Sequence, residues 1–241
     1  MLYTSRPGRD VILDMKTGDV NGDGIQDIVY LTGDKASDAY ITNLKLVIQD
    51  GRTNFRTVVP LYLGYNSGFD PWLFLGDFTN NRVDDIFINL PVGGSGALTY
   101  YYLYSFLRNQ VRALYTPEQF IIQNKELDFE VIYRNYYKVD ITSKKLNQTF
   151  TLDVSNRRDT YAGVVYNRNG TLIKPTKGFI LEPPHLYPIK LNGNEAFRLM
   201  ALQDIAGLSH ADRLGYLQSF WTFYTPKSIW VLNPRQASVV I

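Results

Sequence analysis

The sequence contains no cysteine and only two histidines. The first absence removes disulfides, zinc–thiolate sites and thiol catalysis together. Charge of one sign is lacking too, since 25 Lys and Arg against 23 Asp and Glu leave a formal net charge of +2. The basic residues are scattered, and the nearest approaches to a patch, Lys144-Lys145 and Arg157-Arg158, are isolated pairs. Nucleic-acid binding needs a basic stripe or patch, so no nucleic-acid partner is expected and the pairs read as solubilising turn residues. No run approaches the ~18 apolar residues of a membrane helix, so no membrane insertion is expected. The N-terminal MLYTSRPGRD has no apolar h-region, and the chain as given reads as lacking a signal peptide; a trimmed chain would look the same. No Gly/Ser- or Pro-rich linker divides the 241 residues, which favours a single domain over 1–241.

Helical periodicity is scarce as well. What the chain has instead is 18 Tyr, 13 Phe and many short apolar runs bounded by Gly, Asn, Asp and Pro. Aromatic and β-branched residues suit pleated, half-buried surfaces, so the pattern reads as strands and turns. The runs predict strands at Asp27–Thr32, Asn43–Gln49, Arg56–Leu63, Trp72–Phe78, Asp85–Leu90, Leu98–Arg108 and Val111–Thr116. Further strands are predicted at Glu130–Thr142, Gln148–Val154, Ala162–Asn167, Phe197–Gln203, Leu214–Tyr224 and Ser228–Leu232. One helical turn is expected near Thr116–Phe120, where Pro117 suits a first helical position.

An internal repeat organises this pattern. Gly18-Asp19-Val20-Asn21-Gly22-Asp23-Gly24-Ile25-Gln26-Asp27-Ile28 recurs as Gly76-Asp77-Phe78-Thr79-Asn80-Asn81-Arg82-Val83-Asp84-Asp85-Ile86, about 58 residues later. A third, eroded copy lies at Tyr187–Leu199. With the strand before each loop, a repeat counts four strands, and four meandering strands make one propeller blade. The expected fold is therefore all-β and propeller-like, with about four blades and the acidic loops between first and second strands. Intact loops fall within about 10–120, and degenerate blades within about 121–241.

The first loop places oxygen-bearing side chains at positions 1, 3, 5 and 9, namely Asp19, Asn21, Asp23 and Asp27, with the Ile25 carbonyl available at position 7. Calcium wants 6–8 oxygens, and this set with water could supply them. An EF-hand is excluded, because its bidentate Glu at position 12 is here Tyr30, inside a strand. The second loop offers Asp77, Thr79, Asn81, the Val83 carbonyl and Asp85, with one carboxylate fewer and Arg82 where glycine is easiest. The expectation is one strong and one weaker Ca2+ site. The third copy has Lys190 and Arg198 at positions 1 and 9 and should bind no calcium. A cation replacing the metal and a solvated turn are both open there, and the turn is favoured because buried charge is costly.

The motif Gly-Asp-Val-Asn-Gly-Asp-Gly-x-x-Asp-Ile resembles the FG-GAP (VCBS-type) repeat of integrin-α-like β-propellers. In that family, loop positions 1, 3, 5, 7 and 9 hold calcium. The resemblance implies Asp19, Asn21, Asp23, Ile25 and Asp27 as ligands in one loop, and Asp77, Thr79, Asn81, Val83 and Asp85 in the other. Asn89-Leu90-Pro91 with the strand from Leu98 resembles the family's downstream blade. Leu202–Tyr216 is similar to the end of VCBS-repeat proteins of spore-forming Gram-positive bacteria.

Catalysis has little to stand on. A Ser-His-Asp triad would need His185 or His210, and neither has a nucleophile-elbow motif beside it. Ser209, Asp204 and Asp212 do surround His210, but a turn histidine is the commoner reading. The sequence is thus read as a non-catalytic, calcium-binding structural or adhesion module, outside the cytoplasm or on a cell or spore surface. Its partner would be a protein or a glycan, and exposed blade edges make self-association plausible. The alternative is a lectin-like or polysaccharide-active protein using aromatic and acidic residues on one propeller face.

Overall fold

The computed structural model describes residues 9–35, 39–62, 64–93, 98–118, 128–181, 185–193, 195–232 and 237–241. These residues form antiparallel strands throughout, with short 3-10 turns and a one-turn helix at Arg158–Tyr161. The all-β class expected from composition is what is found. The chain separates into two compact units, and neither is continuous in sequence. The first comprises Met1–Gln119, Pro188–Arg198 and Phe223–Trp230; the second comprises Phe120–Tyr187, Leu199–Thr222 and Val231–Ile241.

In the first unit, β1 (Arg9–Gly18), β2 (Asp27–Lys35), β3 (Tyr40–Gln49) and β4 (Arg56–Pro60) form an antiparallel meander, with β5 (Gly68–Phe69) paired to β3. A second meander follows: β6 (Trp72–Gly76), β7 (Asp85–Gly93), β8 (Leu98–Ser105) and β9 (Arg112–Tyr115). Side-chain alternation aims Val29, Leu31, Leu46, Ile48, Ile86, Ile88 and Tyr102 into one core cluster, all of them fully buried. Burying each such side chain stabilises the fold by roughly 1.5–3 kcal/mol. The other face of β7 carries Phe87, whose ring centroid lies 5.7 Å from Trp72, 5.8 Å from Tyr101 and 6.3 Å from Phe78. Phe197 and Trp230, from the two later segments, lie 5.6 and 6.3 Å from Phe78. Gly51, at the turn after β3, has no tolerated substitute: a Cβ there would lie 2.0 Å from the Gln26 carbonyl oxygen.

The remaining strands, most of whose residues belong to the second unit, are β10 (Phe129–Arg134), β11 (Lys138–Ser143), β12 (Gln148–Asp153), β13 (Lys177–Ile180), β14 (His185–Ile189), β15 (Arg198–Ala206), β16 (Arg213–Tyr224), β17 (Ile229–Leu232) and β18 (Ser238–Val240). They form one nine-stranded sheet in the order β12-β11-β10-β13-β15-β16-β17, with β14 on β15 and β18 on β16. Its core gathers Val131, Tyr133, Val139, Tyr161, Tyr166, Ile205 and Leu217.

This sheet corrects the four-blade expectation. The first half does contain two four-stranded meanders, but the second half is not two more. The short strand β13 pairs with β10 on one side and β15 on the other, stitching what the repeat count treated as separate units. Gly178 makes this possible, because a Cβ there would lie 2.3 Å from the Ala206 carbonyl oxygen. Other expectations shift locally. Glu130–Thr142 is a hairpin, not one strand. Ala162–Asn167 is a turn with isolated bridges. The strand expected before the first loop is β1, which runs over Arg9–Gly18. Thr116 is not helical, Pro117 and Glu118 are, and Gln119, Phe120 and Gly94–Gly96 lie outside the described residues.

The hairpin between β10 and β11 turns through Tyr136 and Tyr137, at φ 61° and 59°. Left-handed backbone costs roughly 1–2 kcal/mol for such a residue. For Tyr137 this is offset by burial: its ring sits 4.4 Å from that of Tyr166, and the Arg158 guanidinium lies 5.1 Å from its centroid. Tyr136 has no such compensation, being 67% exposed.

Candidate functional site

Asp19–Asp27 joins β1 to β2, and Asp77–Asp85 joins β6 to β7. The two loops share one backbone path. Positions 4 and 6 are left-handed in both, as Gly22 and Gly24 (φ 82° and 81°) and as Asn80 and Arg82 (60° and 66°). Arg82 thus adopts the conformation for which glycine is easiest, so the second loop is the more strained.

Each loop is closed by its own side chains. Asp19 accepts the Gly22 N–H at 2.7 Å and the Gly24 N–H at 2.9 Å. Asp77 accepts the Asn81 N–H at 3.1 Å and the Arg82 N–H at 2.7 Å. Asn21 Oδ1 takes the Asp23 N–H, Asp23 Oδ1 takes the Ile25 N–H, and Asn81 Oδ1 takes the Val83 N–H. At position 9 the carboxylates turn inward. Asp27 accepts the Val20 N–H at 3.1 Å and the Gly51 N–H at 2.9 Å. Asp85 Oδ2 accepts the Phe78 and Thr79 N–H groups and the Thr79 hydroxyl.

The electrostatics follow from this placement. Burial lifts the Asp27 carboxyl above its ordinary value, and it lifts Asp85 further, to about 6. Asp84, beside the loop junction, is raised by the same cause, with Asp77 and Asp19 adding to it. Asp23 is lowered by its hydrogen bond from Arg52, whose Nε lies 2.7 Å from Oδ2. The two loops also touch, the Asp84 N–H donating to the Asp19 carbonyl at 3.0 Å, while the Arg108 N–H, from the turn between β8 and β9, donates to the Asn21 carbonyl at 2.8 Å.

Two residues of this site were missed in the sequence. Asp50 accepts the Asn21 side-chain amide at 3.2 Å and the Arg52 and Thr53 N–H groups, and Arg52 reaches back to Asp23. Both belong to the turn after β3, which the sequence marks only as a turn. The register of β2 against β3 brings it beside the loop.

The third copy behaves as a corner. Arg198 pairs with Glu195 at 3.1 Å, and Lys190 lies over the Phe197 ring at 4.6 Å. Around His210, Asp212 is engaged by Arg157, by the Tyr161 hydroxyl and by the Leu208 N–H, while Asp204 pairs with Arg213. The His210 ring itself lies 5.2 Å from that of Phe179.

Among the described residues, no group of three or more His, Cys, Asp or Glu side chains is arranged to hold a metal ion. The expectation of a calcium-binding, metal-binding protein is corrected accordingly. Its physical reason lies in the carboxylates, which diverge: Asp19 faces the loop's own amides, Asp23 faces Arg52, and Asp27 is aimed into the sheet.

Residues 127–238 match the family model described as the YybI C-terminal domain. The chain is also similar to "Uncharacterized protein YybI" of Bacillus subtilis (strain 168), at 36% identity over 203 residues, covering 84% of this chain and 76% of that protein. No solved structure matches. These findings overturn the FG-GAP/VCBS, integrin-like resemblance. A nine-residue Asx-turn pattern can recur wherever a tight loop must satisfy its own backbone, and so it did not identify a family.

Proposed function

The chain belongs to the YybI family, and from that footing we propose that it is a non-catalytic structural or interaction module. Its place is outside the cytoplasm, or on a cell or spore surface, and its partner is a protein or a glycan. One observation carries the reading. The four aspartates that bound the repeated loops, Asp19, Asp27, Asp77 and Asp85, each accept two backbone N–H groups. The most conspicuous polar residues of the sequence are thereby committed to closing their own loops and, through Asp27, to fixing the neighbouring turn at Gly51. A general acid or base must instead present its proton-transferring atom to substrate. Among the described residues, no helix is long and apolar enough to cross a membrane.

The test uses the full chain, fluorescently labelled. It is mixed with intact Gram-positive cells, purified spores, stripped cell walls and cytosolic extract, while ester, peptide and glycoside reporters are followed for turnover. Saturable retention on one surface fraction, without turnover, is the expected result. Turnover that is lost in His210→Ala would overturn the non-catalytic reading, and equal recovery from every fraction would overturn the interaction reading.

A further inference from the structure

The hairpin tip at Tyr136 bears a conformational cost that the fold does not need. Glycine or asparagine would occupy its left-handed backbone more readily, yet the chain places a large aromatic there and leaves its ring 67% exposed. Strain retained at an exposed position is a pointer toward function.

The tip is also fixed. The Tyr136 N–H donates to the Gly170 carbonyl at 2.7 Å, and Asn135 Oδ1 accepts the Leu172 N–H at 2.9 Å. Gly170 itself is buried, and a Cβ on it would sit 3.4 Å from Tyr136 Cδ1, so the tyrosine rests against bare glycine backbone. The adjoining turn residue Asn169 is in turn tied to Thr171. The outcome is an aromatic platform on two braced turns, exposed to solvent and flanked by the exposed residues Asn135, Arg168 and Asn169.

We propose that Tyr136 is a stacking platform for the pyranose ring of a neutral glycan. A sugar ring presents an apolar C–H face with hydroxyls around its rim. An exposed tyrosine face offers the apolar surface, while Asn135 next to it in the chain, and Arg168 and Asn169 in the turn that its N–H holds at Gly170, are exposed residues whose amide and guanidinium groups can serve the rim. The flanking residues are neutral or cationic, which suits an uncharged chain of sugars. This inference rests on the interaction-module reading and names its partner as a glycan rather than a protein.

The experiment titrates chitotetraose and, separately, cellotetraose into the full chain by calorimetry, with Tyr136→Gly and Tyr136→Trp alongside and chromatography of the sugar afterwards. At least one sugar should bind saturably, Tyr136→Trp should keep the affinity within threefold, and Tyr136→Gly should lose tenfold or more while melting no lower than the parent. Binding of neither sugar at 10 mM overturns the platform, as does unchanged binding by Tyr136→Gly. A melting temperature lowered by several degrees in Tyr136→Gly assigns the tyrosine a structural role and overturns it too. Shortened sugars in the chromatogram would instead overturn the non-catalytic reading and leave the platform standing.

Discussion

Replacing Asp85 with asparagine tests the view that the loop aspartates are structural hydrogen-bond acceptors. Asp85 is 1% exposed, and one of its oxygens accepts three hydrogen bonds, all of which an asparagine carbonyl can accept equally. Burial raises its carboxyl from an ordinary 3.8 to about 6. Below about pH 3.8 the group is protonated in both folded and unfolded chains, and nothing is lost. As pH rises through 6 the folded chain must carry a buried charge, so stability falls across that window. At 1.36 kcal/mol per pH unit the penalty reaches about 3 kcal/mol at pH 7. Asp85→Asn removes it. Urea unfolding of parent and variant between pH 3.5 and 7.5 should therefore show the variant gaining about 2–3 kcal/mol on the parent as pH rises. That corresponds to roughly 5–10 °C in melting temperature for a chain of this size. A gap that is constant with pH would refute the burial argument. A gap of opposite sign in the presence of calcium, with the variant losing ground at neutral pH, would show that a bound cation holds the carboxylate ionised.

Because the loops are closed by their own hydrogen bonds, melting in excess EDTA and in ~5 mM calcium should agree within about 1 °C. A rise of about 5 °C or more, lost in Asp23→Ala, would refute this, being what sites with ~50 μM dissociation constants would confer. Asp50→Ala should lower stability by chemical denaturation, since it removes the acceptor of the Asn21 amide and of the Arg52 and Thr53 N–H groups. Arg52→Ala should cost clearly less than Asp50→Ala, because its ion pair with Asp23 is solvent-facing. Equal costs would mean that the turn is held by the salt bridge and not by Asp50.

The sequence disclosed what depends on local pattern. Strands such as Asp85–Gly93 and Arg213–Tyr224 are long, apolar and bounded by turn residues, and they were placed within a few residues. The loops were found because Asx–Gly spacing is a short-range signal. Their chemistry was misjudged because the same oxygens that suit a cation also suit the loop's own amides, and only geometry separates the two. Long-range pairing was illegible. Nothing in Lys177–Ile180 announces that its four residues pair with β10 on one side and β15 on the other, and nothing in Asn135-Tyr136-Tyr137 advertises a turn, since aromatics there contradict turn chemistry. Asp50 stayed hidden for a related reason: its partner lies 29 residues away.

The interleaved path of the chain limits how this protein can be divided. The family model begins at residue 127, which invites a cut near residue 120 to make two independent pieces. Such a cut would strand Phe197, Phe223 and Trp230 on the C-terminal fragment, although all three belong to the compact unit built on the N-terminal one. The N-terminal fragment would expose Phe74 and Phe78, against which Phe197 and Trp230 pack. A nascent chain meets the same constraint. When residues up to 119 have been synthesised, that unit still awaits two short segments encoded far downstream, so it closes only once residue 230 has emerged. Recombination near residue 120 would therefore part side chains that share one hydrophobic core, so the segments on either side are constrained to be inherited together.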